Sequence, residues 1–517
     1  MGSPAHFKAQ AKSGRGSNKI AYIGSLVVIL LAIVPLLYLA RYSHVSADDL
    51  AYGKRVHTVL INSGLQGIAL VQAVLGAAWD TTVFFYNNWS GSYTGVFVQA
   101  MQPGVFNENL YWITTVCMLG AIYLGFLMTC KLVFTRLMGV HDWKVYLLAG
   151  IGACMATVTM PDTMQGLYWF NGAFGYTLMW GVGMFTVYLA SGLVMRASKS
   201  RWRVVVRLVL TSICAFIVAG GGHVPAFMTI LMLFVISVYS IIRKRNWLPL
   251  IPLLVCCAGF LVVMSAPGTN NRAKTLVYFN GESSVTWTLM VSAQLTIAHF
   301  REWTKLSLLF MLLAATPVIW ALYDDVDFDI NRINILWVLL TILATILLVG
   351  AELCVPLYAM HWEGEGRLTD MVYFTYVSGM FTSWILLCGV LKRRSEAGSG
   401  WLNRLEGIAH KPLAQLVFPA LLLVVVIAPV NWPGFLESNM RIALRELRYS
   451  TAQDFDAEMD AKVAELSDPN KPVVTIKPLQ HWSRLLSYSD YADPQWVADV
   501  TEYYQKEQVI VDTSGSN

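Results

Sequence analysis

The chain has 517 residues, of which 56% are hydrophobic, 12% aromatic and only 13% charged, with a mean hydropathy of +0.53. That balance excludes an ordinary soluble globular domain. The net charge of +5 is modest, and the Lys and Arg residues sit in short loops between apolar runs, which reads as membrane topology rather than nucleic-acid binding.

Each apolar run is about 20 residues long, enough to cross a hydrocarbon core of ~30 Å as a helix. Helices satisfy their own backbone groups in lipid, and the alternation of a barrel is absent. The chain therefore reads as an all-α polytopic membrane protein. The basic segment 1–19 precedes a first run over Ile20–Ala40 that is too long for a signal peptide and lacks a small-residue cleavage site, so a retained signal anchor is expected. About eleven spans are predicted, near 20–41, 109–132, 143–160, 168–195, 203–220, 224–243, 247–265, 304–323, 331–354, 371–391 and 413–430. With residues 1–19 cytoplasmic, Lys131, Arg136, Lys144, Arg196, Lys199, Arg201, Arg243, Lys244, Lys392, Arg393 and Arg404 fall inside, as the positive-inside rule requires. The acidic turn Asp324–Asp329 also falls inside, and acids weigh little in that rule. All eight cysteines lie in or beside apolar runs, with neither disulfide nor zinc spacing.

Three outer loops follow, about 42–107, 266–303 and 355–369, within a transmembrane domain over 20–430. The first opens with Asp48-Asp49, two carboxylates beside a helix end, where an ionised group must meet water or a partner. Adjacent acids are also common surface decoration. The same loop carries Ile68–Ala78 and the aromatic stretch Phe84–Trp89, pieces too short to span and suited to helices in the interface plane. An odd span count leaves 431–517 as an extracytoplasmic segment of ~85 residues. Its pattern predicts a charged helix over Glu437–Leu466, a strand at Pro472–Ile476 and a second helix over Pro494–Gln505.

The remaining polar residues gather on the outer rim. Ser265-Ala266-Pro267-Gly268 ends a span and is followed by Asn271, Arg272 and Lys274; a planar guanidinium holds phosphate oxygens bidentately, although interfacial basic residues after a helix stop are commonplace. Trp169 and Asn171 lie among aromatics and glycines that suit stacking on a sugar ring, against the plain alternative of an aromatic belt. Gly220-Gly221-Gly222 allows close backbone approach before His223. Glu352 lies among Leu, Val and Cys and needs a partner. Nucleotide, dinucleotide and metalloprotease motifs are absent.

Taken as a set, Asp48-Asp49, Trp89-Ser90-Gly91-Ser92-Tyr93, Trp169-Phe170-Asn171-Gly172, Ala266-Pro267-Gly268 with Asn271-Arg272, and Asp490 to Tyr504 resemble the GT-C class of membrane glycosyltransferases. Within it the chain is similar to a bacterial family of uncharacterised polytopic proteins near the serotype-converting glucosyltransferases of surface polysaccharide. Ser92 stands where that pattern has Arg, and His223 where it has an acid. The resemblance implies a bacterial inner-membrane enzyme with its site facing the periplasm. It implies inverting transfer from a polyprenyl-phosphate-linked sugar to a cell-envelope glycan or lipid-linked acceptor. Asp48 or Asp49 would be the general base, with Arg272, Lys274, Arg55 and Asn271 on the lipid phosphate. Trp89, Trp169, Asn171, His223 and Glu352 would face sugar or acceptor. No metal or cofactor is called for, and the partners are membrane lipid, donor and glycan acceptor. A polysaccharide polymerase or ligase shares these features; a transporter of lipid-linked glycan is a further alternative, although paired broken helices are not evident.

Overall fold

The computed structural model describes residues 18–194, 200–275, 284–324, 333–396, 400, 412–429 and 432–512. The basic N-terminal stretch to residue 17, Arg196, Lys199, Glu282, residues 325–329 of the acidic turn and Arg404 lie outside the described residues.

The chain is an all-α polytopic membrane protein. Among the described residues nine helices are long and apolar enough to cross a membrane: Lys19–Tyr42, Gly67–Asn88, Glu108–Leu137, Phe170–Val194, Arg201–Gly221, His223–Lys244, Leu306–Asp324, Ile335–Met360 and Gly366–Ser395. Three shorter apolar helices, Lys144–Val158, Leu250–Met264 and Leu413–Ile427, coincide with the other expected spans. Fully buried Trp180, Phe126, Phe374 and Phe381 fill the centre of the bundle, where Trp180 packs on Phe126 and Phe374 at ring centroid distances of 5.6 and 5.3 Å. No cysteine is in a disulfide.

The first outer loop differs from expectation. Ile68–Ala78 and Phe84–Trp89 belong to one unbroken helix, Gly67–Asn88, because nothing between Gly67 and Asn88 breaks the backbone ladder. At 22 residues it is long enough to cross. It packs chiefly on other loop helices, Asp48–Asn62, Tyr93–Gln99 and Pro267–Thr275. It exposes Ile68, Val71 and Trp79 together with Asp80, and an exposed carboxylate is costly in hydrocarbon. Length thus permits a crossing while Asp80 suits the interface. The second outer loop holds, besides Pro267–Thr275, a further helix, Val285–Trp303.

The C-terminal segment is a small α/β unit. The charged helix expected over Glu437–Leu466 is two helices, Asn439–Arg448 and Thr451–Ser467, broken where Ser450 takes φ +57°. Strand Val473–Ile476 pairs in parallel with Gln508–Val511, Val473 opposite Gln508 and Ile476 opposite Val511. Helix Val497–Tyr503 connects them.

This unit sits directly on the first outer loop. The His57 ring stacks on Tyr503 at 4.0 Å, Tyr491 Oη donates to the Val45 carbonyl at 2.9 Å, and Lys54 pairs with Glu502 and Asp499. His44, just past the first span, bridges Asp456 through Nε2 at 2.9 Å and Glu108 through Nδ1 at 3.4 Å. Burial alone would lower the His44 pKa, but these two carboxylates raise it to about 9.

A histidine raised above its free value of about 6.5 stabilises the fold fully below that pH and loses the contribution as pH rises through about 9. Limited proteolysis of the C-terminal segment is therefore expected to be faster at pH 10 than at pH 7. The His44→Gln variant should be cut rapidly already at pH 7, with little further change. Identical cleavage of both proteins at both pH values would show that His44 does not hold the segment.

Candidate active site

Helix Asp48–Asn62 begins at the Asp pair, and its N-cap, Ala47, is forced to φ 48° and ψ −124°. A non-glycine residue there costs about 1–3 kcal/mol and persists only where its surroundings over-determine it. The over-determining contacts belong to Asp49. Its carboxylate is fully buried and accepts from the Ser46 amide at 3.2 Å, the Asn171 amide at 3.1 Å and the Tyr111 hydroxyl. Burial pushes this carboxyl up to about 7, against the three donors and with added repulsion from Asp48.

The Asn171 amide is free to donate because the fourth span does not begin as a regular helix. Wide-turned helical stretches at Met164–Tyr168 and Phe174–Leu178 flank a single turn, Phe170–Ala173, and Trp169 between them is extended. Such widened turns recur at functional sites. Irregular backbone at this depth is tolerated because it is buried. The turn aims the Phe170 amide at Tyr111 Oη, 3.0 Å away, and the Asn171 amide at Asp49.

Asp48 is in the opposite condition. It is half-buried and among the described residues makes no hydrogen bond or ion pair. Burial raises its pKa, while the through-space charges of Arg367 and Arg272 oppose that rise and Asp499 adds to it. Tyr52, one helical turn along and stacked on Phe85 at 4.1 Å, feels the same Asp48, Arg272 and Arg367 charges.

Arg272 is delivered by a close loop contact. A Cβ on Gly268 would lie 2.4 Å from the Trp89 amide nitrogen, so only glycine lets the two backbones meet. Thr269 Oγ1 accepts from the Gly91 amide at 3.0 Å, and the Arg272 guanidinium lies 5.4 Å from the centre of the half-buried Trp89 ring. The charge of Arg272 also reaches His223, which starts its helix after the extended Gly222.

Arg367 comes from the first turn of helix Gly366–Glu396. Its Nη1 donates to Gln165 Oε1 at 2.9 Å, Gln165 Nε2 donates to Asp162 Oδ2 at 2.9 Å, and the Asp162 amide donates to buried Asp370 at 2.8 Å. In the sequence Arg367 is only one of many outer-rim polar residues. Gln165 and Tyr488 carry no signal there at all. They matter because Gln165 aims Arg367 and Tyr488 brings the C-terminal segment to within 3.8 Å of Trp169.

The other expected site residues divide. Trp169 does not offer a stacking face: it is 3% exposed, stacked on Tyr488, and its Nε1 donates to the Ser46 carbonyl at 3.1 Å. Asn171 keeps both side-chain amide atoms buried and without a partner among the described residues. Glu352 is fully buried, accepting from Thr375 Oγ1 at 2.8 Å, with its second oxygen unpartnered among the described residues. Arg55 lies over Phe84 at 4.5 Å. Lys274 and Asn271 are exposed, and two positions on a helix separate Lys274 from Arg272 by roughly 200°, so the two cations do not face one anion. Among the described residues His44, Asp456 and Asp460 bring ligand atoms within 4.8 Å, but His44 already bridges two carboxylates there.

No family model matches the chain, and no curated protein sequence matches it either. Among solved structures it is similar to the crystal structure of the Archaeoglobus fulgidus oligosaccharyltransferase in complex with Zn and sulfate, at 12% identity and a TM-score of 0.34. The alignment covers 95% of this chain and 62% of that one, so the chain spans less than two thirds of that protein.

The two aspartates should separate on substitution. In Asp49→Asn one oxygen that faces an amide N–H becomes an NH2 group, leaving donor against donor at a cost of about 1–3 kcal/mol. A lower melting temperature is expected for Asp49→Asn and an unchanged one for Asp48→Asn. Equal melting temperatures would mean that Asp49 does not tie the loop to the bundle.

Proposed function

We propose that the chain is a membrane glycosyltransferase that moves a sugar, with inversion, from a polyprenyl-phosphate carrier to a glycan or lipid-linked acceptor at the outer leaflet. The observation that carries this reading is the contrast within the Asp pair: Asp49 accepts from three donors, whereas Asp48 is unpaired among the described residues and lies in the field of two arginines. A carboxylate raised by burial and held opposite fixed cations is suited to general-base work beside a phosphate leaving group.

In the proposed reaction the acceptor hydroxyl oxygen attacks the anomeric carbon and its proton passes to Asp48. The bond from that carbon to the phosphate oxygen breaks, and polyprenyl phosphate departs with the electron pair. Arg272 and Arg367 face the charge that develops on the phosphate. Trp89, which keeps part of its ring exposed, is the aromatic suited to the sugar, and the unpartnered Asn171 amide supplies a donor and an acceptor for its hydroxyls. Lys274 and Glu352 have no part in this scheme. Donor identity, the periplasmic side and a bacterial inner membrane rest on the resemblance in the motifs.

The test is transfer from a synthetic polyprenyl-phosphate sugar by reconstituted protein. Asp48→Asn should lower the rate by about 10²–10⁴-fold, and Arg367→Gln by roughly a hundredfold. Wild-type turnover in Asp48→Asn would remove the base assignment.

The pH dependence adds a sign. The base must be ionised, so activity should fall as pH drops through an Asp48 pKa above the ordinary carboxylate value. Arg367 holds that pKa down, so in Arg367→Gln the acid limb should move to higher pH. A limb that moves to lower pH, or stays in place, would contradict the proposed pairing.

A further inference from the structure

A second cluster of cations lies away from Asp48. A groove of about 680 Å³ is lined by Arg441, Arg445 and Arg448, by Arg484 and by the aromatic rings of Tyr449 and Trp482. The first three arginines recur at i, i+4 and i+7 on helix Asn439–Arg448, so they share one face, and all three are exposed.

Two of the four guanidinium groups are already engaged, one by a carboxylate and one by a backbone carbonyl. Arg484 is held in a two-pronged pair by Glu437, at 3.1 and 2.7 Å, and Arg441 Nη1 donates to the Ile427 carbonyl at 3.3 Å. The buried acid of the groove, Glu446, accepts from Ser483 Oγ and from the Arg484 amide. Arg445 and Arg448 form no ion pair among the described residues. Among the described residues the groove therefore presents three guanidinium groups with no carboxylate partner, and those of Arg445 and Arg448 have no hydrogen bond either, beside exposed Tyr449 and Trp482, which are 63% and 52% accessible.

Its place in the fold identifies the level at which it works. The contact from Arg441 is to the last residue of apolar helix Leu413–Ile427, so the groove opens at the end of that helix. The intervening chain carries Trp432 stacked on Phe435 at 4.6 Å, the kind of ring pair that sits among headgroups. Guanidinium groups bind phosphate oxygens bidentately, and 300–1,000 Å³ is the usual range for a small-ligand site.

We infer that this groove binds a phosphate group presented at the membrane surface by the headgroup of an anionic phospholipid, pinning the C-terminal segment to the leaflet on which it rests. The inference stands apart from the transfer chemistry, since neither Arg445 nor Arg448 is among the residues that act on Asp48.

The test uses the full chain in detergent, titrated with phosphatidylglycerol, with phosphatidylcholine or with inorganic phosphate, and bound lipid counted by native mass spectrometry. One phosphatidylglycerol should bind at least tenfold tighter than phosphatidylcholine. Arg445→Gln with Arg448→Gln should weaken it roughly thirtyfold, from about a factor of five for each basic group at a membrane surface. The double Lys variant should retain most of the binding. Arg243→Gln with Lys244→Gln, which removes two exposed cations from the last turn of helix His223–Lys244, should retain all of it.

Equal binding of the two lipids, or an unchanged affinity in the double Gln variant at an unchanged melting temperature, would overturn the inference. Displacement by inorganic phosphate at concentrations matching the lipid would overturn the lipid source and assign the groove to soluble phosphate. A loss of lipid binding with transfer activity intact would support the groove and leave the reading of Asp48 untouched.

Discussion

The buried Asp49 carboxylate is the constraint on which the rest of the site depends. Three donors reach it from separate parts of the chain: the turn before its own helix, the head of the second expected span through Tyr111, and the broken start of the fourth through Asn171. A charged or partly charged group in a dry interior is unfavourable unless its lone pairs are filled. Filling them fixes the loop backbone at Ala47, the irregular turn at Trp169 and the direction in which Asp48 points. Asp48 follows Asp49 on a helix that has only just begun, so saturating one carboxylate turns the other toward the rim.

Around that fixed point the arginines arrive by different means. Arg272 depends on two backbones meeting at Gly268. Arg367 depends on a polar chain through Gln165 and Asp162 to Asp370. The C-terminal segment closes the arrangement, with Tyr488 against Trp169, Tyr503 against His57 and the Asp499 charge acting on Asp48. It is thus continuous with the site, and the amphipathic helix Asn439–Arg448 ties it to the end of the last apolar helix.

The architecture was largely legible in the sequence, because an apolar run long enough to span has few alternatives to helix. Two departures have local causes: Gly67–Asn88 reads as fragments because its polar residues obscure its continuity, which the backbone ladder ignores, and the charged helix over Glu437–Leu466 breaks at Ser450, where nothing in the residue type marks a positive φ. At the site, residue types were legible and their states were not. Asp48 and Asp49 are indistinguishable in sequence, because what separates them is donated from positions 62 and 122 residues away. Trp169 reads like an exposed stacking ring, and only the packing of Tyr488 from the C-terminal segment shows otherwise. Lys274 reads as a partner of Arg272 until the intervening residues form a helix and turn it away. Arg367 has no local pattern; its meaning comes from where the stretch before the fourth span places Gln165 and Asp162, and from Asp370 one turn along its own helix.

The proposed chemistry requires Asp48, which lies in the field of Arg272 and Arg367, to stand opposite a lipid-borne phosphate that those two guanidinium groups hold. The most direct measurement is an experimental structure of the full chain with a polyprenyl phosphate bound. The phosphate is expected between the two guanidinium groups, with the Asp48 carboxylate across from it and Asp49 still holding Tyr111 and Asn171. Phosphate density elsewhere on the rim, with Asp48 turned away from both arginines, would contradict it.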